Sequence, residues 1–139
     1  MYLMKKHISL LLIIISSFYF SQNKTENYVG VGFQKGTNES WKIELSKNSD
    51  DTFSVNYPDL KCSGIWKIAK NLEDIYPVEE GVKSLIAEEK INIGLDKCMN
   101  NGWILLVDEK LSKTTKRFYV FETEHHSKPY AFGFLEKIF

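Results

Sequence analysis

The chain has 139 residues, with 18 basic and 18 acidic side chains, which is enough for one domain and leaves no net charge. A surface with this balance has no field to hold nucleic acid or anionic lipid, so we expect neither as a partner. The chain shows no internal repeat, no low-complexity tract and no block of like charge.

The first stretch of the chain is typical of a secretory signal peptide. Lys5 and Lys6 precede an apolar run over residues 8–15, and small or polar residues follow. The run is too short to cross a hydrocarbon core of about 30 Å. We therefore expect a signal peptide over residues 1–21, with an uncleaved anchor as the alternative. The mature part, residues 22–139, is expected to be a single domain in the periplasm or outside the cell, with no stable membrane span.

Alternation of apolar and polar residues dominates the rest of the chain. In the segment SWKIELSK, Trp41, Ile43 and Leu45 share one face, and polar residues separate them. A period of two is typical of half-buried antiparallel strands, and turn residues stand between the runs. The sequence predicts strands over residues 28–34, 40–47, 51–58, 62–69, 82–93, 103–108, 116–122 and 129–137.

Eight strands with mostly short connections predict an all-β domain built as an antiparallel meander. The last predicted strand is apolar on both faces, so we expect it to be covered. Pairing of the first strand with the last would remove both free edges of the meander. We therefore expect a closed, lipocalin-like barrel, with a β-sandwich as the alternative.

The two cysteines, Cys62 and Cys98, both lie in the part expected to be exported. In an oxidising compartment two thiols most simply form one disulfide, which would add about 3–4 kcal/mol to the stability of a small domain. A reactive thiol pair usually needs C-x-x-C spacing or a helix N-terminus, and the sequence shows neither. A structural disulfide is therefore favoured.

Two short motifs contain these cysteines. The first, Y-P-x-L-x-C-x-G, runs from Tyr57 to Gly64, and the second, E-x-I-x-x-G-x-x-x-C, runs from Glu89 to Cys98. The pair resembles a class of small exported bacterial β-domains, mostly of unassigned function, and the resemblance covers most of the mature chain. It implies a barrel-like antiparallel fold with Cys62 bonded to Cys98, and it implies no established activity. The opening strand, YVGVGF, also resembles the glycine-aromatic start of lipocalins.

Glu89 is the most informative charged position. In the segment LIAEEKINI it alternates in phase with Leu85, Ala87 and Ile91, so it should point to the same apolar side of the sheet. A bare carboxylate in such a place would cost several kcal/mol, so it must be paired, protonated or open to water. We expect either a polar anchor inside a ligand cavity or a core carboxylate held by a fixed partner.

Arg117 is the candidate partner for Glu89. It is the only arginine of the chain, and a guanidinium suits a buried carboxylate better than an ammonium does. Arg117 shares a strand face with Tyr119 and Phe121, so Glu89, Arg117 and Tyr119 form the expected ligand-binding set. The alternative is a solvated arginine on the outer face.

The segment ETEHHSKP holds His125 and His126, beside Glu122 and Glu124. Adjacent residues on an extended chain point to opposite faces, so the two imidazoles cannot easily share one ion. A solvated turn is therefore favoured over a metal site, and we expect no metal and no cofactor. The sequence also shows no phosphate-binding glycine loop and no nucleophile elbow.

These features favour a monomeric, non-catalytic binding module. Its ligand could be a small apolar molecule, an envelope component or an exported protein. The alternatives are an inhibitor or immunity-type protein that blocks an exported enzyme, and a small hydrolase. A carrier should have an apolar cavity that is continuous with solvent, whereas an inhibitor should have a filled core and a projecting loop. A hydrolase would need two titratable groups that converge in a cleft, such as Glu89 with Arg117 or His126 with Glu124.

Overall fold

Eight antiparallel strands follow one another along the chain. The structure, a computed structural model, describes residues 25–69, 78–122 and 128–138. The strands lie close to the predicted boundaries. They are β1 (Asn27–Gln34), β2 (Ser40–Lys47), β3 (Thr52–Tyr57), β4 (Cys62–Ile68), β5 (Ser84–Ile93), β6 (Trp103–Asp108), β7 (Thr115–Phe121) and β8 (Ala131–Ile138).

Each strand pairs with the next, and β8 returns to pair with β1, so the sheet is a closed barrel. The closing ladder runs along the whole of β1, from Asn27 opposite Ile138 to Gln34 opposite Ala131. Closure leaves neither terminal strand with an unpaired edge, which is the physical reason for expecting it. The barrel is therefore confirmed, and the β-sandwich alternative is wrong.

The barrel interior is filled by the side chains that alternate toward it. The bulkiest fully buried ones are Trp66 and Phe118, whose ring centroids lie 5.9 Å apart in a tilted arrangement. The other side chains of the interior core that are at most 1% exposed are Ile43, Leu45, Cys62, Ala87, Ile104, Ala131 and Leu135. A barrel of eight strands is wide enough for side chains to fill, and most of this interior is packed.

Two glycines make room for the interior aromatic rings. A Cβ built on Gly32 would lie 2.5 Å from the indole of Trp41, and one built on Gly133 would lie 2.4 Å from the ring of Phe118. Gly32 and Gly133 are partners in the β1–β8 ladder. At the Gly32–Gly133 pair, the β1–β8 ladder therefore carries no inward side chain, and the rings of Trp41 and Phe118 occupy the space that such side chains would fill.

The outer face of the barrel is more apolar than alternation predicts. Ile86, Leu105, Val107 and Phe121 point outward but are buried, because Val78, Val82 and neighbouring side chains pack over them. On β8 the opposite occurs. Both edges of the strand are paired, but its outward rings, Phe132 and Phe134, are 37% and 46% exposed. The expectation that this strand is covered holds for its edges and is wrong for its outer face.

The disulfide joins Cys62, the first residue of β4, to Cys98 in the β5–β6 connection, with a Cα–Cα distance of 6.3 Å. The prediction of one structural bridge is confirmed. It lies at the end of the barrel where β1, β3, β5 and β7 terminate, and we call this end the mouth.

No helix in the described part of the chain is long and apolar enough to cross a membrane. The expected signal peptide, residues 1–21, lies outside the described residues, and so do His125 and His126.

Replacing both cysteines, Cys62→Ser/Cys98→Ser, should lower the free energy of unfolding by about 3–4 kcal/mol, because the bridge closes a long loop in the unfolded chain. Urea denaturation measures the change. A reductant should destabilise the wild type similarly and leave the double variant unaffected. Equal urea midpoints for wild type and variant would show that the bridge contributes nothing.

Candidate ligand-binding site at the barrel mouth

A pocket of about 400 Å³ opens at the mouth of the barrel. Because β1, β3, β5 and β7 end here, their last inward side chains and the following loops surround one space. Its walls are mainly aromatic and aliphatic. The apolar lining consists of Trp41, Tyr57, Leu60, Cys98, Met99, Phe118, Val120 and Tyr130. Gln34, Glu39, Glu89, Lys97 and Glu122 complete the described lining. A concave, largely apolar site with some polar groups is the usual form of a small-molecule site.

Glu89 is the charged side chain at the inner part of this pocket. It lies on β5 opposite Trp66 of β4 and is only 5% exposed. The hydroxyl of Tyr57 donates a hydrogen bond to Glu89 Oε2. The indole Nε1 of Trp66 donates a second bond to the same oxygen, at 2.7 Å. Neither bond uses Oε1.

The backbone holds Glu89 firmly in this position. Its N–H donates to the carbonyl of Gly102 at 2.8 Å, and its carbonyl accepts from the N–H of Asn101 at 3.1 Å. Asn101 takes a positive φ of 63°, which asparagine tolerates better than most residues. The side chain of Asn100 accepts a bond from the N–H of Ile91. The NNG turn therefore fixes the part of β5 that carries the carboxylate.

Burial dominates the electrostatics of this site. Removal from water raises the pKa of the Glu89 carboxyl, and the hydrogen bonds from Tyr57 and Trp66 offset part of that rise. Burial also raises the pKa of the Tyr57 hydroxyl well above its ordinary value, and the neighbouring Glu89 carboxylate raises it further. None of the ion pairs found among the described residues includes Glu89. Its fixed partners are thus neutral donors, which satisfy one oxygen without compensating the charge.

Arg117 is not the partner of Glu89, so that prediction is wrong. On β7 the inward residues are Phe118 and Val120, and Arg117 lies on the outer face. Its Nε is 2.5 Å from Glu109 Oε1 in a partly exposed ion pair. The sequence did not distinguish an inward from an outward orientation of Arg117, because the segment KRFYVF carries apolar residues on each face. The alternative interpretation, an arginine on the outer face, describes its position.

Tyr119 also lies on the outer face, where its hydroxyl is 3.5 Å from Arg117 Nη1. Both residues line a separate outer pocket of about 320 Å³. The three residues expected to form one ligand site are therefore divided between two places, with Glu89 at the mouth and the other two outside. A second cation of the outer pocket, Lys110, is paired with Glu79.

The two sequence motifs meet in this structure. Tyr57 of the first motif bonds Glu89 of the second, and Cys62 is joined to Cys98. Gly94, with a φ of +72°, has space for no side chain, since a Cβ would lie 2.4 Å from the carbonyl oxygen of Lys61. The motif pair thus describes one packed unit that forms one side of the pocket.

The inward position of Glu89 was predicted correctly from the sequence, whereas its hydrogen-bond donors and the aromatic walls of the pocket were not. The sequence did contain one indication of the donors. Tyr57 and Trp66 alternate in phase with inward residues, and a buried hydroxyl or indole N–H needs an acceptor. Within the described residues, Glu89 is the buried carboxylate that could serve both. Trp41 and Tyr130 come from distant strand ends and gave no such signal.

No metal centre is formed by the described residues, which hold no group of three His, Cys, Asp or Glu side chains that could bind an ion. His125, His126 and Glu124 are outside that part of the chain.

No protein-family model, curated protein or solved structure matches this sequence.

Replacing Glu89 with Gln should change how stability depends on pH. A carboxyl whose pKa is raised by folding stabilises the fold fully below its unfolded value of 4.5, and this stabilisation is lost as the pH rises through the folded pKa. Relative to Glu89→Gln, the wild type should therefore lose free energy of unfolding above pH 4.5, by at most about 1.4 kcal/mol per pH unit.

Urea denaturation of both proteins from pH 4 to pH 8 measures this difference. Glu88→Gln, on the opposite face of β5, controls for the loss of one negative charge. A wild type that gains stability over Glu89→Gln as the pH rises would contradict the raised pKa.

Proposed function

We propose that this protein is an exported, non-catalytic binding module that takes a small, largely apolar molecule into the barrel mouth. The observation that carries the proposal is the mouth pocket of about 400 Å³, with aromatic walls and one buried polar anchor. Pre-formed concave sites of this kind hold small ligands through apolar contact, and a few polar groups orient them. We propose a monomer, since the described residues that line the pocket belong to a single chain.

Export is part of the proposal. The basic and apolar pattern of residues 1–21 supports a signal peptide. The Cys62–Cys98 bridge supports an oxidising compartment, either the periplasm or the extracellular space, because structural disulfides are rare in the cytosol. We propose that the chain is one of the small exported bacterial β-domains that its two motifs resemble.

The pocket favours a carrier over the two alternative functions. An inhibitor would use a projecting loop above a filled core, whereas here a cavity open to solvent reaches a buried carboxylate. A hydrolase would need convergent titratable groups. Of the two nominated pairs, Glu89 and Arg117 lie on opposite faces of the sheet, and His126 and Glu124 lie outside the described residues. A binding role therefore accounts for the most features of the mouth.

An apolar fluorescent probe, N-phenyl-1-naphthylamine, should bind saturably with one molecule per chain. Leu60 and Met99 line the pocket and are 38% and 44% exposed, so shortening them should remove ligand contacts without unfolding the barrel. We expect Leu60→Ala/Met99→Ala to weaken binding at least about fivefold, since each buried CH₂ contributes roughly 0.8 kcal/mol. Titration of probe fluorescence measures the affinity.

Leu111→Ala is the matched control, because Leu111 is 99% exposed and lies in the β6–β7 connection at the other end of the barrel. It should leave probe affinity unchanged. Probe fluorescence that does not saturate, or equal weakening by Leu111→Ala, would reject the mouth as the binding site.

A further inference from the structure

We propose that the ligand carries a cationic amino group, which pairs with Glu89 while its apolar part lies among the aromatic walls. This inference rests on the proposed binding function and names the chemical class of the ligand. Neutral hydrogen-bonding ligands and anionic amphiphiles are the competing classes.

The charge of the Glu89 carboxylate is not compensated by any described residue. Glu89 is buried, it makes no ion pair with any of the described residues, and its two side-chain donors are neutral. Both donors bond Oε2, and neither bonds Oε1. A buried carboxylate must be protonated, paired with a cation or reached by water, and no described residue supplies the cation. A ligand ammonium would supply the missing charge and a donor at the same time.

Aromatic rings form much of the pocket wall around the carboxylate. Trp41, Tyr57, Phe118 and Tyr130 line the same pocket as the carboxylate. The faces of aromatic rings attract cations, most strongly where water is excluded, and aromatic cages with a carboxylate are typical ammonium sites. The same rings would contact the apolar part of the ligand. A purely aliphatic ligand would gain nothing from the carboxylate and would leave it unpaired.

The rim of the pocket carries charged side chains of both signs. Among the described residues, the pocket that contains Glu89 is also lined by the carboxylates of Glu39 and Glu122 and by the ammonium of Lys97. Lys35 and Lys128 line the adjoining pocket, together with Glu122 and Tyr130. The described rim is therefore of mixed charge, and Glu89 is the group that would distinguish a cationic from an anionic ligand.

Binding should be linked to proton release. The titratable groups that face Glu89 are Tyr57 from β3 and Tyr130 before β8, and burial raises the pKa of both hydroxyls, so both stay neutral near pH 7. Glu89 is thus the group that exchanges its proton for the ligand cation. The affinity for an amine should rise between pH 5 and pH 8, and this rise should disappear in Glu89→Gln.

A pair of matched probes tests the inference by isothermal titration calorimetry at pH 7.5. The probes are 2-(2-naphthyl)ethylamine, which is protonated at this pH, and 2-(2-naphthyl)ethanol, which has the same shape and no charge. The wild type should bind the amine at least tenfold more tightly than the alcohol. In Glu89→Gln the preference should fall below twofold, while the affinity for the alcohol stays within about threefold of wild type, which also shows that the variant folds.

Glu122→Gln is the matched control, because it removes a carboxylate of the same pocket at the rim. It should keep at least a fivefold preference for the amine. Equal binding of amine and alcohol by the wild type, or a preference that survives Glu89→Gln or is lost in Glu122→Gln, would overturn the inference. In these cases, saturable binding of N-phenyl-1-naphthylamine would still support the proposed binding function, and only the inference about a cationic ligand would be rejected. Failure of all three probes would reject both proposals.

Discussion

The structure depends on the hydrogen-bonded ladder between β1 and β8. Seven sequential hairpin pairings alone would leave a curled sheet with two exposed edges, and the eighth pairing converts it into a barrel with an inside and an outside. Gly32 and Gly133 face each other in this ladder. Their missing side chains leave the space that Trp41 and Phe118 occupy, so the same seam closes the sheet and shapes the pocket.

Closure gives the barrel two different regions. The inner part is packed around Trp66 and Phe118, as in a small barrel that fills its own interior. Toward the mouth the packing gives way to a pocket, and the transition is marked by Glu89, a charge that an apolar side chain would replace at lower desolvation cost. Its two neutral donors, Tyr57 and Trp66, are fixed partners of the kind that one of the two expectations for Glu89 required. The pocket beside the carboxylate is what supports the proposed ligand anchor.

The residues differ in how far their positions could be predicted. Glu89 was placed correctly because its strand alternates cleanly, with Ala87 and Ile91 inward and Lys90 outward. Arg117 was not, because β7 is apolar on both faces. The outward cluster around Leu105 is covered by Val78 and Val82, so both faces of this region of the sheet are buried. Alternation of apolar and polar residues therefore cannot identify the inner face there.

The sequence by itself determined the eight strands, the two cysteines available for a bridge, and the inward direction of Glu89, because these follow from local periodicity and turn residues. Only the tertiary structure decided which side chains meet the carboxylate. Tyr57 and Trp66 are 32 and 23 residues away from it, and their approach depends on the pairing registers of β3, β4 and β5. Trp41 and Tyr130, which also line the mouth, come from still more distant strand ends. Alternation fixes the face on which a side chain lies, whereas register and closure fix its neighbours, and these are properties of the whole barrel.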